Sequence, residues 1–303
     1  MNFSQMAFKK ISQDRYNNLR KIQQLDPVKD HCQIYHLMLG YEFPWEIQRG
    51  IDLANLKDFC VPSISRLLDR TGEYRYRTQK RYDDTLIFGI EILKWGYDSD
   101  RGREAIQRMN AIHDRFKISN EDFLYVLSTL IYEPIRWTER FGWRKMCEQE
   151  KLAIFYFTRE MGKRMRIQDI PETYEEFEKY NIEYERKNIR YSDSNRRVAE
   201  AVLNLVLSWF PIPKALYPLF KPLVYSIMDE TVLLAFGFER PPEFLRWVVT
   251  NILKLRGKIW RLLPPIEHPE FAIDSPICSY PNGYKISELG PAEKPFVETR
   301  MKD

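Results

Sequence analysis

Apolar side chains recur at three- and four-residue spacing through most of this chain, and the pattern is most informative where polar residues interrupt it, between 81 and 116. Residues three and four apart are neighbours on a helix surface, so this stretch predicts two consecutive helices. The first carries Arg81, Asp84, Thr85, Phe88, Gly89 and Ile92 along one side. Glycine costs roughly 1 kcal/mol in a helix interior, so Gly89 suggests that something flat comes close to the backbone there. The second helix gathers Ala105, Ile106, Met109, Ile112, His113 and Phe116 on an arc of about 120°. His113 thereby falls inside an apolar stripe, where its ring must find a hydrogen-bond partner, stay neutral in a core, or ligate a metal.

The flanking pattern is helical as well. Residues 5–40 read as a polar helix and then a more apolar one that ends near Gly40. Pro44 restarts the chain, and the apolar spacing predicts a helix over 45–59 that stops ahead of Val61-Pro62. Ser63 or Ser65 is expected to cap a short helix holding Ile64, Leu67 and Leu68, before Thr71-Gly72 turns the chain. Beyond the central pair, Ser119 and Asp122 have capping-box spacing and open a helix with Phe123, Val126, Leu127, Leu130 and Ile131 on its buried face. Pro134 should end or kink that helix. Further helices follow over 148–162, from the Thr173/Glu176 capping box over 174–188, from an Asp193 or Ser194 cap to Trp209, and from Pro241-Pro242 onward. No alternating run makes a strand. The expectation is one all-α, globular multi-helix domain with a cofactor slot between helices.

Composition narrows the function classes. At 303 residues, with 44% hydrophobic and 30% charged residues, the chain reads as an ordinary globular protein able to bury a large core. Its net charge of +4 comes from 47 basic and 43 acidic residues interspersed along the sequence, which argues against nucleic acid as a partner. Cys32, Cys60, Cys147 and Cys278 form no Cys-x-x-Cys pair, and Cys32 with His31 and His36 does not complete a tetrahedral site. The N-terminal stretch lacks the ~7–15-residue apolar run of a signal peptide, and nothing reaches the roughly 18 apolar residues of a membrane span, so a cytoplasmic protein is expected. Between 211 and 263 apolar segments carry many lysines and arginines. The last helix, with Phe244, Leu245, Val248, Val249, Ile252 and Ile259 against a basic side, resembles an interfacial helix that could give peripheral membrane contact; packing on the chain's own core is preferred, because ordinary surface helices show the same pattern. Residues 264–303 are proline-rich and aperiodic, a tail that is either poorly ordered or wrapped on the domain.

The element Arg81-Tyr82-Asp83-Asp84-Thr85, with His113 following 28 residues after Thr85, resembles the catalytic domain shared by the MpaB oxygenases and the rubber oxygenases, or latex-clearing proteins, on the MpaB side. The likeness runs from about Pro44 to Leu262, through PWEIQRGIDLA, VPSISRLLDRTGEY, ISNEDFLYVL, EPIRW and FGWR. It divides the chain into an N-terminal helical extension (1–43), a catalytic domain (44–263) and a tail (264–303). In the rubber-oxygenase branch an Arg-x-x-Lys-Thr element lies over one face of a b-type haem and a later histidine ligates the iron. Here the arginine, threonine and histidine carry over, but Asp84 replaces the lysine, so a lysine-capped iron is not expected.

The resemblance implies a haem b-dependent oxygenase using dioxygen on an apolar substrate, an isoprenoid or other unsaturated lipid, with oxidative cleavage of a carbon–carbon double bond as the reaction. His113 would hold the iron and Gly89 would leave room for the ring. Arg81 would stabilise charge on reduced oxygen, Thr85 would relay a hydrogen bond and Asp84 would serve as acid or base. Arg136 and Arg140, interleaved with Trp137 and Trp143, could hold the haem propionates or simply form a solvated helix end. Eukaryotic MpaB relatives carry a membrane anchor that this sequence is expected to lack. The alternative is a non-catalytic helical carrier for haem or lipid, with Arg81 and Asp84 or Thr85 forming an intrahelical pair of no chemical role.

Overall fold

The computed structural model describes residues 14–269 and 271–291. Among the described residues the chain forms fourteen α-helices and no strand, with an isolated bridge between Ile277 and Tyr280. None of the helices is long and apolar enough to cross a membrane. The start of the polar helix expected from residue 5, up to residue 13, and the end of the tail, 292–303, lie outside the described residues.

The longest helix, α8 (Asn120–Phe141), is surrounded by α3 (Pro44–Phe59), α9 (Glu148–Arg164), α10 (Tyr174–Asn188) and α14 (Glu243–Leu262). It starts where the sequence places it, with the Ser119 hydroxyl accepting the Asp122 amide at 3.1 Å. It does not end at Pro134, however, and runs on to Phe141. The reason is α3: a Cβ on Gly50 would lie 2.3 Å from the Pro134 Cα, so only glycine lets α3 close on the proline. The lost backbone hydrogen bond is thereby offset by helix–helix contact.

Two other caps differ from expectation. α4 (Pro62–Thr71) begins at Pro62, whose fixed φ suits the first helical position, so neither serine caps it. Ser65 is instead fully buried, with its hydroxyl 2.8 Å from that of Ser194, and Ser63 donates to Asp122 at 2.9 Å. Ser194 therefore belongs to this buried contact, and Ser192 is the residue that precedes α11 (Asp193–Ser208).

One large core unites α1 (Asn17–Ile22), α2 (His31–Leu37), α6 (Thr78–Trp95), α7 (Asp100–His113), α8 and α9. A second joins α3 and α11 with α5 (Glu73–Tyr76) and α13 (Glu230–Phe236). The described part of the tail wraps across the first: Phe271, Ile277, Ile286 and Leu289 are buried in it. The apolar side of α14 does the opposite. Of the whole helix only Gly257 is buried; of the expected stripe Leu245, Val248 and Val249 are half-buried while Phe244, Ile252 and Ile259 are exposed, so internal packing covers only part of it.

Candidate functional site

The α6–α7 pair is folded back on itself by a tight turn. Gly96 adopts φ 80°, and the Ser99 hydroxyl accepts the Gly102 amide at 3.0 Å to start α7. A Cβ on Gly102 would fall 2.0 Å from the Gly96 carbonyl oxygen, so glycine is required for this approach. The two helices run antiparallel and touch directly, rather than standing apart across a ring. Open space lies beside them instead: a side chain added at Gly89 would meet nothing within 4 Å.

Arg81, Thr85 and Gly89 are spaced one turn apart and so form one line along α6. The Arg81 guanidinium bonds the Thr85 hydroxyl and lies 5.4 Å from the ring centre of Tyr74, while Thr85 donates to the Arg81 carbonyl at 2.9 Å. His113 is the last residue of α7, with its ring edge-on to Phe123 at 5.2 Å. Burial pushes its pKa from 6.5 down to about 4, and the positive charges of Arg81 and Arg166 push the same way against Asp114. Among the described residues no hydrogen bond reaches its ring. At neutral pH His113 is therefore an uncharged imidazole with both nitrogens uncommitted, the donor state that an iron ion in a porphyrin requires. In chemistry, if not in any enclosing slot, the residue fits that group.

Asp84 is not part of this line. One residue along a helix is a rotation of about 100°, which turns its carboxylate toward the C-terminal strap. There it accepts from Lys80 at 2.8 and 3.1 Å and from the Tyr280 hydroxyl at 2.6 Å. Its neighbour Asp83 accepts the Ser279 amide at 2.9 Å, and Lys80 also donates to the Gly290 carbonyl at 3.1 Å. Glu91, two turns on, is fully buried and bonded by Arg101 and Tyr284. Burial alone would raise its pKa, but these donors outweigh it and hold the carboxyl below its ordinary range. Arg108 on α7 donates to the Leu289 carbonyl at 3.0 Å, so the strap spans both helices.

Arg136 and Arg140 do not meet His113. Phe123 is the α8 residue that touches the histidine, and at 1.5 Å rise per residue Arg136 lies ~20 Å further along the axis. Its guanidinium is engaged by Glu133 at 2.7 Å and Asn181 at 3.1 Å, in a buried network with Lys57. Arg140 is exposed at the helix end, 4.8 Å from the Phe141 ring centre. The spacing of cations and aromatics along α8 thus serves α10 and solvent. Conversely, Phe123, Tyr74 and Arg166 stand around His113 and Arg81 without having been singled out. Arg166 has φ 65° and bonds Asp114 at 2.7 and 2.8 Å. Only its uncommon left-handed backbone marks it, and that is invisible in sequence.

No cluster of three or more histidine, cysteine or acidic side chains gathers to hold a metal ion among the described residues, so His113 is a lone protein donor. A family model for the ER-bound oxygenase mpaB/B′/rubber oxygenase catalytic domain matches residues 61–256, a span that includes the whole of α6, α7 and α8. The chain belongs to this family. It is similar to the ER-bound oxygenase mpaB′ of Penicillium brevicompactum, with 26% identity over 256 residues, covering 78% of this chain and 60% of that protein. It is also similar to the ER-bound oxygenase mpaB of the same organism, with 30% identity over 131 residues that cover 41% of this chain and 33% of the relative. A third relative, mpaB of Penicillium roqueforti, is 28% identical over 127 residues, 40% of this chain and 43% of the relative.

Proposed function

We propose that this chain is a haem b-dependent oxygenase that uses dioxygen on an apolar, unsaturated lipid of the isoprenoid kind. The observation that carries this reading is His113: within a matched oxygenase catalytic domain, its neutral imidazole stands with uncommitted nitrogens where the charge of Arg81 reaches it. Haem, when bound, supplies the dioxygen chemistry. His113 would hold the iron. Arg81 presents a fixed positive charge, aimed by its bond to Thr85 and its seat on Tyr74, which would stabilise negative charge developing on oxygen. Gly89 keeps the adjoining space free of side-chain atoms. Asp84, committed to Lys80 and Tyr280, serves as an anchor of the strap rather than as an acid or base.

The test is oxygen uptake with a panel of unsaturated lipids, normalised to bound haem. Wild type should consume oxygen only when substrate is present, and Arg81→Ala should retain haem while losing on the order of a hundredfold in rate. Asp84→Asn should keep a near-wild-type rate per haem. Wild-type turnover in Arg81→Ala would remove its assigned role, and no uptake by a haem-loaded wild type with any substrate would favour a carrier.

A further inference from the structure

One side of α14 is apolar and is left uncovered by the described residues. Phe244, Trp247, Ile252, Leu255, Ile259 and Leu262 are all exposed, Phe244 to 74% and Leu262 to 85%. At 100° per residue they occupy one arc of roughly 140° along the helix. The opposite side, with Arg256 and Gly257, faces the body: Arg256 bonds Glu46 and sits 3.9 Å from the Trp45 ring centre. Next to α14 runs α12 (Tyr217–Tyr225), in contact with it and exposing Leu219 to 72%. An apolar surface of this kind, running the length of a helix with Asn251 and Lys258 the only polar residues inside it, is not left bare in a protein that works only in water.

Charge says what covers it. From Phe244 to Leu263 the chain has Arg246, Lys254, Arg256, Lys258 and Arg261, and no acidic residue. Lys254 and Arg261 flank the apolar arc on one side and Lys258 lies just inside that edge; all three are exposed and pair with no carboxylate among the described residues. Unpaired exposed cations occur elsewhere too, as at Lys179 and Lys187, but here they border an exposed apolar arc. A second copy of the chain is a poor fit, because a two-fold contact through this face would bring like charges together. An anionic lipid surface fits both features at once. Lysine and arginine stems reach up to phosphates while leucine, phenylalanine and tryptophan side chains enter the headgroup boundary. With five cations in its sequence the helix lies in the interface and does not cross it.

We propose that the outer face of α14, extended by Leu219 of α12, docks on an anionic lipid bilayer with the helix parallel to the membrane plane. This rests on surface geometry and does not depend on haem or on the reaction. The experiment is co-sedimentation of the full chain with vesicles of phosphatidylcholine alone and of phosphatidylcholine with phosphatidylserine. At low ionic strength the protein should pellet with the anionic vesicles and much less with the neutral ones. Added salt should release it, because exposed charges are screened over about 8 Å at physiological strength. Reversing Lys254, Lys258 and Arg261 to Glu together should weaken partitioning by about a hundredfold, given the usual contribution of each basic residue near such a surface. Leu255→Ser with Leu262→Ser should weaken it as well, with unchanged circular dichroism, since both side chains are exposed. Failure of wild type to pellet with anionic vesicles at low salt overturns the proposal, as does charge reversal without effect. A concentration-dependent dimer that Leu255→Ser disperses, in a protein that ignores vesicles, would assign the face to a second copy instead.

Discussion

Along α6 three carboxylates, Asp83, Asp84 and Glu91, are buried, while along α14 six large apolar side chains face outward. Both helices are amphipathic, and both are turned against the simplest rule of apolar inside and polar outside. The difference lies in what the chain supplies to cover them. For α6 the C-terminal strap brings an amide, two phenols and four apolar anchors, so each buried acid has donors and the strap has a core of its own. For α14 nothing among the described residues does so. A buried polar face with matched partners is structure; an exposed apolar face beside unmatched cations is an unfinished interface.

The comparison can be broken most forcefully at the strap's apolar end. Leu289 is fully buried, so Leu289→Ala should cost about 3 kcal/mol in denaturant unfolding, the usual range for a core leucine. A change under ~0.5 kcal/mol, typical of the surface, would mean that the strap merely lies on the helices. The acid sensitivity of His113 comes next. Its pKa falls from 6.5 in the unfolded chain to about 4 when folded, so the unfolded state takes the proton first as the pH drops. Stability of the haem-free protein should therefore be complete well above pH 6.5 and decline toward pH 4, by ~3 kcal/mol. His113→Ala should lack that part of the decline; an unaltered pH dependence would place the imidazole in water.

Smaller effects sharpen the contrast. Tyr280→Phe removes one donor from the buried Asp84 and should cost ~1 kcal/mol, whereas Lys80 remains to hold the carboxylate. Phe244→Ser on the outer face of α14 should stay within about 0.5 kcal/mol, because nothing is packed against it to lose. A cost comparable to that of Leu289→Ala would show that the face is covered within the chain after all.

The helices were legible in the sequence because their signals are local: apolar period, serine and threonine caps, and prolines at starts. Pro134 misled for the opposite reason. Its tolerance depends on Gly50, far away in sequence, and no local pattern connects the two. Ser65 looked like a cap because its partners, Ser194 and Asn195, come from another helix. At the site, Arg81, Thr85 and His113 could be picked from one helix line and one apolar stripe, and Arg81 does exert its charge on His113. Asp84 shared the sequence window but not the direction, because the strap that claims it lies some 200 positions downstream, at Tyr280. Arg136 and Arg140 followed a real spacing, yet distance along α8 separates them from His113, and spacing alone does not say which end of a helix meets which neighbour.

Whether His113 carries iron is the claim on which the functional reading turns, and the absorption spectrum of the purified protein addresses it directly. Wild type supplied with haem should show a stoichiometric Soret band, and His113→Ala should lose the band or shift it strongly while circular dichroism stays helical. A Soret band of unchanged position and intensity in His113→Ala would contradict the assignment.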